Sequence, residues 1–195
     1  GDDFLSTLIL AEDEGSKLSN LEMCALVGAV LGAGSDTAVD LHSYLIKNLL
    51  QNPNEFDALK GDETLVQGAI SETLRYESSG KTGLARYASE DLEINGYHVK
   101  QGQMVQLITS TAGMDPKIYE NPRLFDIRRD HDKSISFGQG PHYCIGVTLV
   151  RSQTEVMLKE LFKRFPNLSL GNEIVYDYNH HNARRMDVMM VNTNL

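Results

Sequence analysis

Cysteine is scarce in this chain, with only Cys24 and Cys144 among its 195 residues. Two such residues give no disulfide framework, and a reducing compartment fits. Basic side chains are also in deficit: 18 Lys and Arg against 27 Asp and Glu leave a formal net charge of -9. A nucleic-acid binder would need the opposite, a basic footprint. No internal repeat, low-complexity tract or signal pattern is visible. The opening Gly1-Asp2-Asp3 reads like the interior of a longer protein, which leaves room for a targeting segment or anchor ahead of it. Long hydrophobic runs are missing too. The uncharged stretch Met23 to Gly34 has twelve residues, short of the roughly 20 that cross a bilayer. What is present, 41% hydrophobic residues with scattered charges, suits one soluble domain with a sizeable core.

Taken in order, the chain predicts a first helix from about Asp3 to Glu14, with Phe4, Leu5, Leu8 and Ile9 on one side and Gly15 ending it. Ser19 followed by Glu22 makes a capping box for a long helix from about Asn20 to Leu50, stopped before Asn52-Pro53. A helix apolar all round must be buried all round, so Cys24 is expected to be packed. Pro53 opens a short helix in its tolerated first-turn place, and Glu63 to Tyr76 forms another. From Ala85 the period shifts towards two. Ala85 to Ala88 reads as a strand, Leu92–Ile94 and Tyr97–Val99 flank an Asn95-Gly96 hairpin turn, and Met104 to Thr109 is a third strand. A proline-punctuated loop spans Asp115 to Pro122. Helical spacing returns from Ile145 to Phe165, ended by Pro166. Short strands are expected near Leu168–Leu170, Ile174–Tyr178 and Asp187–Val191. His180-His181 reads as a polar loop tip, since adjacent histidines without a partner make no metal site. The class is mainly α with a minor β region.

Four groups of residues could carry chemistry. The stretch Phe137-Gly138-Gln139-Gly140-Pro141-His142-Tyr143-Cys144-Ile145-Gly146 puts glycines around one cysteine just ahead of a helix. Glycines let the backbone turn sharply and approach a flat ligand, and amide dipoles at a helix mouth favour a thiolate. Such a thiolate is a good axial ligand for haem iron; the alternative is an inert buried cysteine. In the long helix, Gly28, Gly32 and Gly34 each cost about 1 kcal/mol against alanine, a breach of local preference that often marks function. Asp36 and Thr37 follow, an acid beside a hydroxyl that could hold water and pass protons; the alternative is close helix packing at the glycines and solvent-facing side chains. Glu72 and Arg75 share a helix face, by themselves a surface ion pair. Arg86 and His142 could pair with carboxylates of a ligand or be ordinary surface and structural residues.

The cysteine stretch reads F-G-x-G-x-H-x-C-x-G and resembles the cysteine loop of the cytochrome P-450 family. Ala33-Gly34-Ser35-Asp36-Thr37 is similar to that family's oxygen-binding helix motif, A/G-G-x-D/E-T, departing at Ala38. Glu72-Thr73-Leu74-Arg75 matches its E-x-x-R pair, and Arg129 matches the meander arginine that joins the pair. The motifs fall in the family's order and at plausible spacing, and the pattern from Glu90 to Tyr97 looks most like the soluble bacterial branch.

The resemblance implies the C-terminal half of a P-450-like fold, with a long central helix and a cysteine-ligand loop. Residues 1–195 would then be part of a single haem-binding domain whose N-terminal half is absent. It implies haem b held by Cys144 as axial iron ligand, with Phe137, Gly138 and Gly146 around it and Arg86 and His142 on the propionates. Asp36 and Thr37 would be the proton-delivering pair; Glu72, Arg75 and Arg129 would be structural. The implied activity is that of an oxidoreductase, a haem-thiolate monooxygenase hydroxylating a small organic substrate in the cytoplasm, with electrons from a ferredoxin-like or flavin partner. Peroxide-driven or oxygen-independent chemistry, or an inactive fragment packed on its missing N-terminal half, are the alternatives. Substrate contacts would come from Leu26 to Thr37, Ser79 to Leu84 and the region of His180 to Ala183.

Overall fold

The computed structural model describes residues 1–10, 12–13, 16–179 and 183–193. It forms two compact units, Gly1–Val39 and Asp40–Leu195.

In the first unit, helix α1 covers Phe4–Leu10, with the Asp3 carboxylate accepting from the Ser6 amide at 2.7 Å as an N-terminal cap. It is shorter than the apolar pattern suggests. Two short strands, β1 (Glu12–Asp13) and β2 (Ser16–Lys17), pair antiparallel and take over residues that helical periodicity alone would claim. Helix α2 runs Asn20–Gln51. Its capping box is formed: the Glu22 amide donates to Ser19 Oγ at 3.3 Å, and the Ser19 amide donates to the Glu22 carboxylate at 2.9 Å.

The first-unit part of α2 is not buried. Between Asn20 and Val39 only Met23, Val27 and Ala38 are partly covered, Leu21 and Leu31 are 81% and 68% exposed, and Cys24 is exposed rather than packed. A Cβ on Gly28, Gly32 or Gly34 would meet nothing within 4 Å, so these glycines serve no close packing among the described residues of their unit. The apolar pattern states a need for cover that this unit does not itself meet. By length and composition alone α2 could cross a membrane, yet its last turns, from Asp40 on, are buried in a protein core.

That core belongs to the second unit. The end of α2 packs with α3 (Pro53–Gly61), α4 (Val66–Tyr76) and α6 (Val147–Arg164) through Leu45, Leu49, Phe56, Leu59, Ile70 and Leu158. Phe56 and Phe162 meet edge to face at 5.3 Å. Each such side chain contributes about 1.5–3 kcal/mol on burial. A 3₁₀ turn over Glu63–Leu65, capped by Asp62, precedes α4. A polar tether joins α2 to α6: Thr154 Oγ1 donates to the Val150 carbonyl at 2.6 Å and lies 3.0 Å from His42 Nε2, which must therefore be the donor.

The β region of the second unit is three separate antiparallel pairs among the described residues. β3 (Leu84–Tyr87) pairs with β6 (Met104–Leu107), Leu84 opposite Leu107. β4 (Leu92–Ile94) and β5 (Tyr97–Val99) form the hairpin, with Asn95 and Gly96 at φ 49° and 83° as its turn demands. The strand expected to reach Thr109 stops at Leu107. Thr109–Ala112 instead closes into a helical turn, α5, in which the Thr111 hydroxyl donates to the Ile108 carbonyl at 2.8 Å. Where two short strands were expected there is one, β7 (Ser169–Asp177), irregular between Leu170 and Ile174 and paired with β8 (Arg185–Asn192). His180 and His181 lie outside the described residues.

Candidate functional site

The cysteine loop is built from backbone turns that side-chain-bearing residues would resist. Gly138 and Gly140 sit at φ 78° and 69°, the left-handed region where glycine is unstrained. The Gly138 amide donates to the Ile135 carbonyl, Tyr143 to Gly140, and Cys144 to Phe137, each at 2.9 Å. The result is a doubled-back loop whose two limbs are tied at Phe137 and Cys144. Pro141 and His142 lie in the short 3₁₀ turn Gly140–His142. Val147 then opens α6, with Gly146 in the capping position. Cys144 is exposed and is not disulfide-bonded, so the inert buried cysteine is not what folds here. A Cβ on Gly146 would sit 3.9 Å from Cys144 Sγ, which places the thiol over the helix start. Phe137 is half-buried, its ring 5.7 Å from the Arg151 guanidinium carbon; His142 is exposed. Chemically this is a presented soft ligand beside helix-terminal amides.

The second assembly is ionic, and it is not at the surface. Glu72 and Arg75 are 0% and 1% exposed. Arg75 Nε and Nη2 each donate to a Glu72 carboxylate oxygen at 2.6 Å, a two-pronged pair. The remaining guanidinium donors go to backbone carbonyls: Gly113 at 2.8 Å, Pro122 at 2.7 Å and Leu124 at 3.0 Å. Glu72 also accepts from the Asp126 amide at 2.9 Å and from Arg129 Nε at 3.4 Å. Arg129 spreads its other nitrogens over the carbonyls of Glu120, Asn121 and Leu124. One carboxylate and two guanidiniums thus pin the irregular segment from Gly113 to Arg129. The segment approaches so closely that a Cβ on Gly113 would fall 2.4 Å from the Arg75 carbonyl oxygen.

Sequence reasoning missed a further member of this cluster, His131. Its Nε2 lies 3.7 Å from a Glu72 oxygen, beyond hydrogen-bond reach, and both ring nitrogens are buried without a hydrogen-bond partner among the described residues. Burial pushes its pKa below the ordinary 6.5, against the pull of Glu72 and with the push of Arg75 and Arg129. A histidine two residues past the meander arginine was the available signal.

The other sequence candidates stand apart. Arg86 is exposed on β3, its Nη1 donating to the Ala85 carbonyl at 2.8 Å. Asp36 and Thr37 belong to the first unit; both are exposed, and the Thr37 hydroxyl donates to the Ala33 carbonyl at 2.6 Å. Two of the stretches expected to line a substrate pocket do meet: Gly80 bridges Ala183, and the Arg184 amide donates to the Ser79 carbonyl at 2.7 Å. The intervening 180–182 lies outside the described residues.

Known proteins are similar to this chain in sequence and backbone. The family model described as Cytochrome P450 matches residues 1–174. Epothilone C/D epoxidase of Sorangium cellulosum is 39% identical over 176 residues, 90% of this chain and 42% of that protein. The structure of epothilone D-bound cytochrome P450epoK superposes with a TM-score of 0.90 at 38% identity, over 97% of this chain and 47% of the other. CYP109E1 from Bacillus megaterium in complex with testosterone gives 0.92 at 30% identity, over 100% of this chain and 54% of the other. The chain therefore spans about half or less of each of these relatives. With a family match over most of its length, and a backbone that follows solved members closely, the chain belongs to the cytochrome P450 family.

Proposed function

We propose that this chain is the thiolate-bearing portion of a haem-dependent monooxygenase acting on a small organic substrate. The observation that carries the reading is the exposed Cys144, held out by a glycine loop at the start of α6. The donor set suits haem b. A single soft sulfur suits the iron, glycines at positive φ give a flat group close access to the loop, and Arg86 and His142 are exposed basic side chains for the propionates. Phe137, Gly138 and Gly146 would frame the ligand. When bound, the haem would supply dioxygen activation and substrate oxidation.

The chain's own residues would do the rest. Cys144, deprotonated, would hold the iron. The Thr37 hydroxyl has its proton committed to the Ala33 carbonyl, so Oγ1 is left as an acceptor that can hold a water or a protonated ligand. Asp36 would relay protons to that position from solvent.

The exposed apolar half of α2 supports a further part of the reading: a second segment, the N-terminal half of the same fold, covers it in the working enzyme. Electrons would come from a ferredoxin-like or flavin donor, and the setting would be cytoplasmic. Peroxide-driven turnover is the weaker alternative, because a proton relay at Asp36 and Thr37 would then be superfluous.

A carbon monoxide difference spectrum of the reduced, haem-supplied chain, with and without the N-terminal half, tests this. A strongly red-shifted Soret band that disappears in Cys144→Ala is the expected result. No such band in either preparation overturns the reading.

A further inference from the structure

Beside the leucine contacts that join α2 and α6, His42 and Thr154 form a directional polar bond, and Thr154 is fully buried. On local grounds threonine is a poor residue for that place. It is β-branched, its hydroxyl bonds back into its own helix, and burying a hydroxyl costs free energy that a valine of the same shape would not. What the hydroxyl adds is direction. Leucines in contact can turn past one another, whereas a hydrogen bond weakens steeply as its geometry degrades. We propose that His42 is a positioning residue for Cys144: through Thr154 it fixes the rotation of α6, and α6 holds both limbs of the cysteine loop. The chemical meaning of that role rests on the reading of Cys144 as an iron ligand.

The route is short. His42 Nε2 donates to Thr154 Oγ1, Thr154 donates to the Val150 carbonyl, and the Val150 amide donates to the Gly146 carbonyl at 2.9 Å. Gly146 caps α6 two residues after Cys144. The other limb is reached through a side chain. Arg151, in the second turn of α6, has its guanidinium carbon 5.7 Å from the Phe137 ring centre, and the Phe137 carbonyl accepts the Cys144 amide. Rotation of α6 about its axis therefore carries both limbs with it. A side-chain atom about 5–6 Å from a helix axis moves about 1 Å in a rotation of about 10°, against roughly 0.5 Å tolerated at a working site.

Amide hydrogen exchange of this chain without haem, read at Tyr143 and Cys144, tests the tether. Thr154→Val and His42→Leu should each speed exchange at both amides roughly tenfold, the scale of one hydrogen bond, with β7–β8 unchanged. His42→Gln, which keeps a donor, should stay close to the parent. Leu45→Val weakens the same packing without touching the bond; it should lower stability in urea and leave the two loop amides unmoved. In the haem-loaded protein completed by its N-terminal half, Thr154→Val should move part of the red-shifted carbon monoxide band to the shorter wavelength of a lost thiolate, and His42→Gln should not. Unchanged loop exchange in Thr154→Val and His42→Leu, an equal change in Leu45→Val, or a band that Thr154→Val leaves intact overturns the proposal. A parent without the red-shifted band overturns instead the reading of Cys144, and the exchange rates then decide the tether by themselves.

Discussion

Arg75→Lys isolates what the buried cluster does, because it keeps the charge and removes the fork. Arg75 makes two bonds to Glu72 and one each to the carbonyls of Gly113, Pro122 and Leu124. An ammonium can stay near the carboxylate but cannot reach all three carbonyls from one plane. Each buried acceptor left unmade costs about 1–3 kcal/mol, and partial entry of water offsets some of it, so the variant should lose about 2–3 kcal/mol. Arg75→Ala should be worse: breaking a buried pair costs up to about 3–5 kcal/mol, tempered here by the Asp126 amide and Arg129 that stay on the carboxylate, against a whole stability for a marginal domain of about 5–15 kcal/mol. Urea unfolding gives the total. Hydrogen exchange gives the place, and in Arg75→Lys protection should fall first over residues 113–126, where the guanidinium's carbonyl partners lie. A loss below about 1 kcal/mol, or exchange that rises evenly through the β7–β8 hairpin as well, would refute the assignment of these bonds as the segment's anchor.

Three other outcomes are expected. Thr37→Ala, in the haem-loaded enzyme completed by its N-terminal half, should divert reducing equivalents into peroxide; unchanged coupling removes Thr37 from the relay. His131 is held below 6.5 chiefly by burial, so the unfolded chain binds its proton more readily than the folded one; stability should fall as pH drops below about 6.5 and be indifferent to this group above it. His131→Gln should flatten that part of the pH profile, and an unaltered slope would mean that His42, also lowered by burial, or the carboxylates carry it. The chain by itself should self-associate through the exposed face of α2, and sedimentation should show a single species once the N-terminal half is supplied; a stable, monodisperse monomer without it would sink the idea that a second segment is required.

Local chemistry was the legible part of the sequence. Ser19 and Glu22 announce a helix start because each satisfies the other's backbone amide, and the bonds are there. Asn95-Gly96 announces a hairpin because both residues tolerate positive φ. Pro53 opens α3 and Pro166 follows α6 for the same kind of reason. Boundaries failed where two local preferences competed. Threonines after Leu107 suit a strand, but the Thr111 hydroxyl reaches back to the Ile108 carbonyl and closes a turn instead.

The larger gaps share another cause. Taken by themselves Glu72 and Arg75 look like a surface pair, and only the resemblance made them structural, because nothing in E-x-x-R says what lies over it and the cover is mostly backbone carbonyl from Gly113 to Leu124, which carries no side-chain signature. His131 escaped for the same reason: its burial is conferred by neighbours distant in sequence. In α2 the error runs the other way. The apolar pattern of Met23 to Gly34 reads as a helix in need of cover, and the expectation of a packed Cys24 assumed that the chain itself supplies it. Cys24 is exposed, and the space around Gly28, Gly32 and Gly34 is open among the described residues of their unit. Periodicity records what a surface requires of its surroundings, and only the assembled contacts say where that requirement is met.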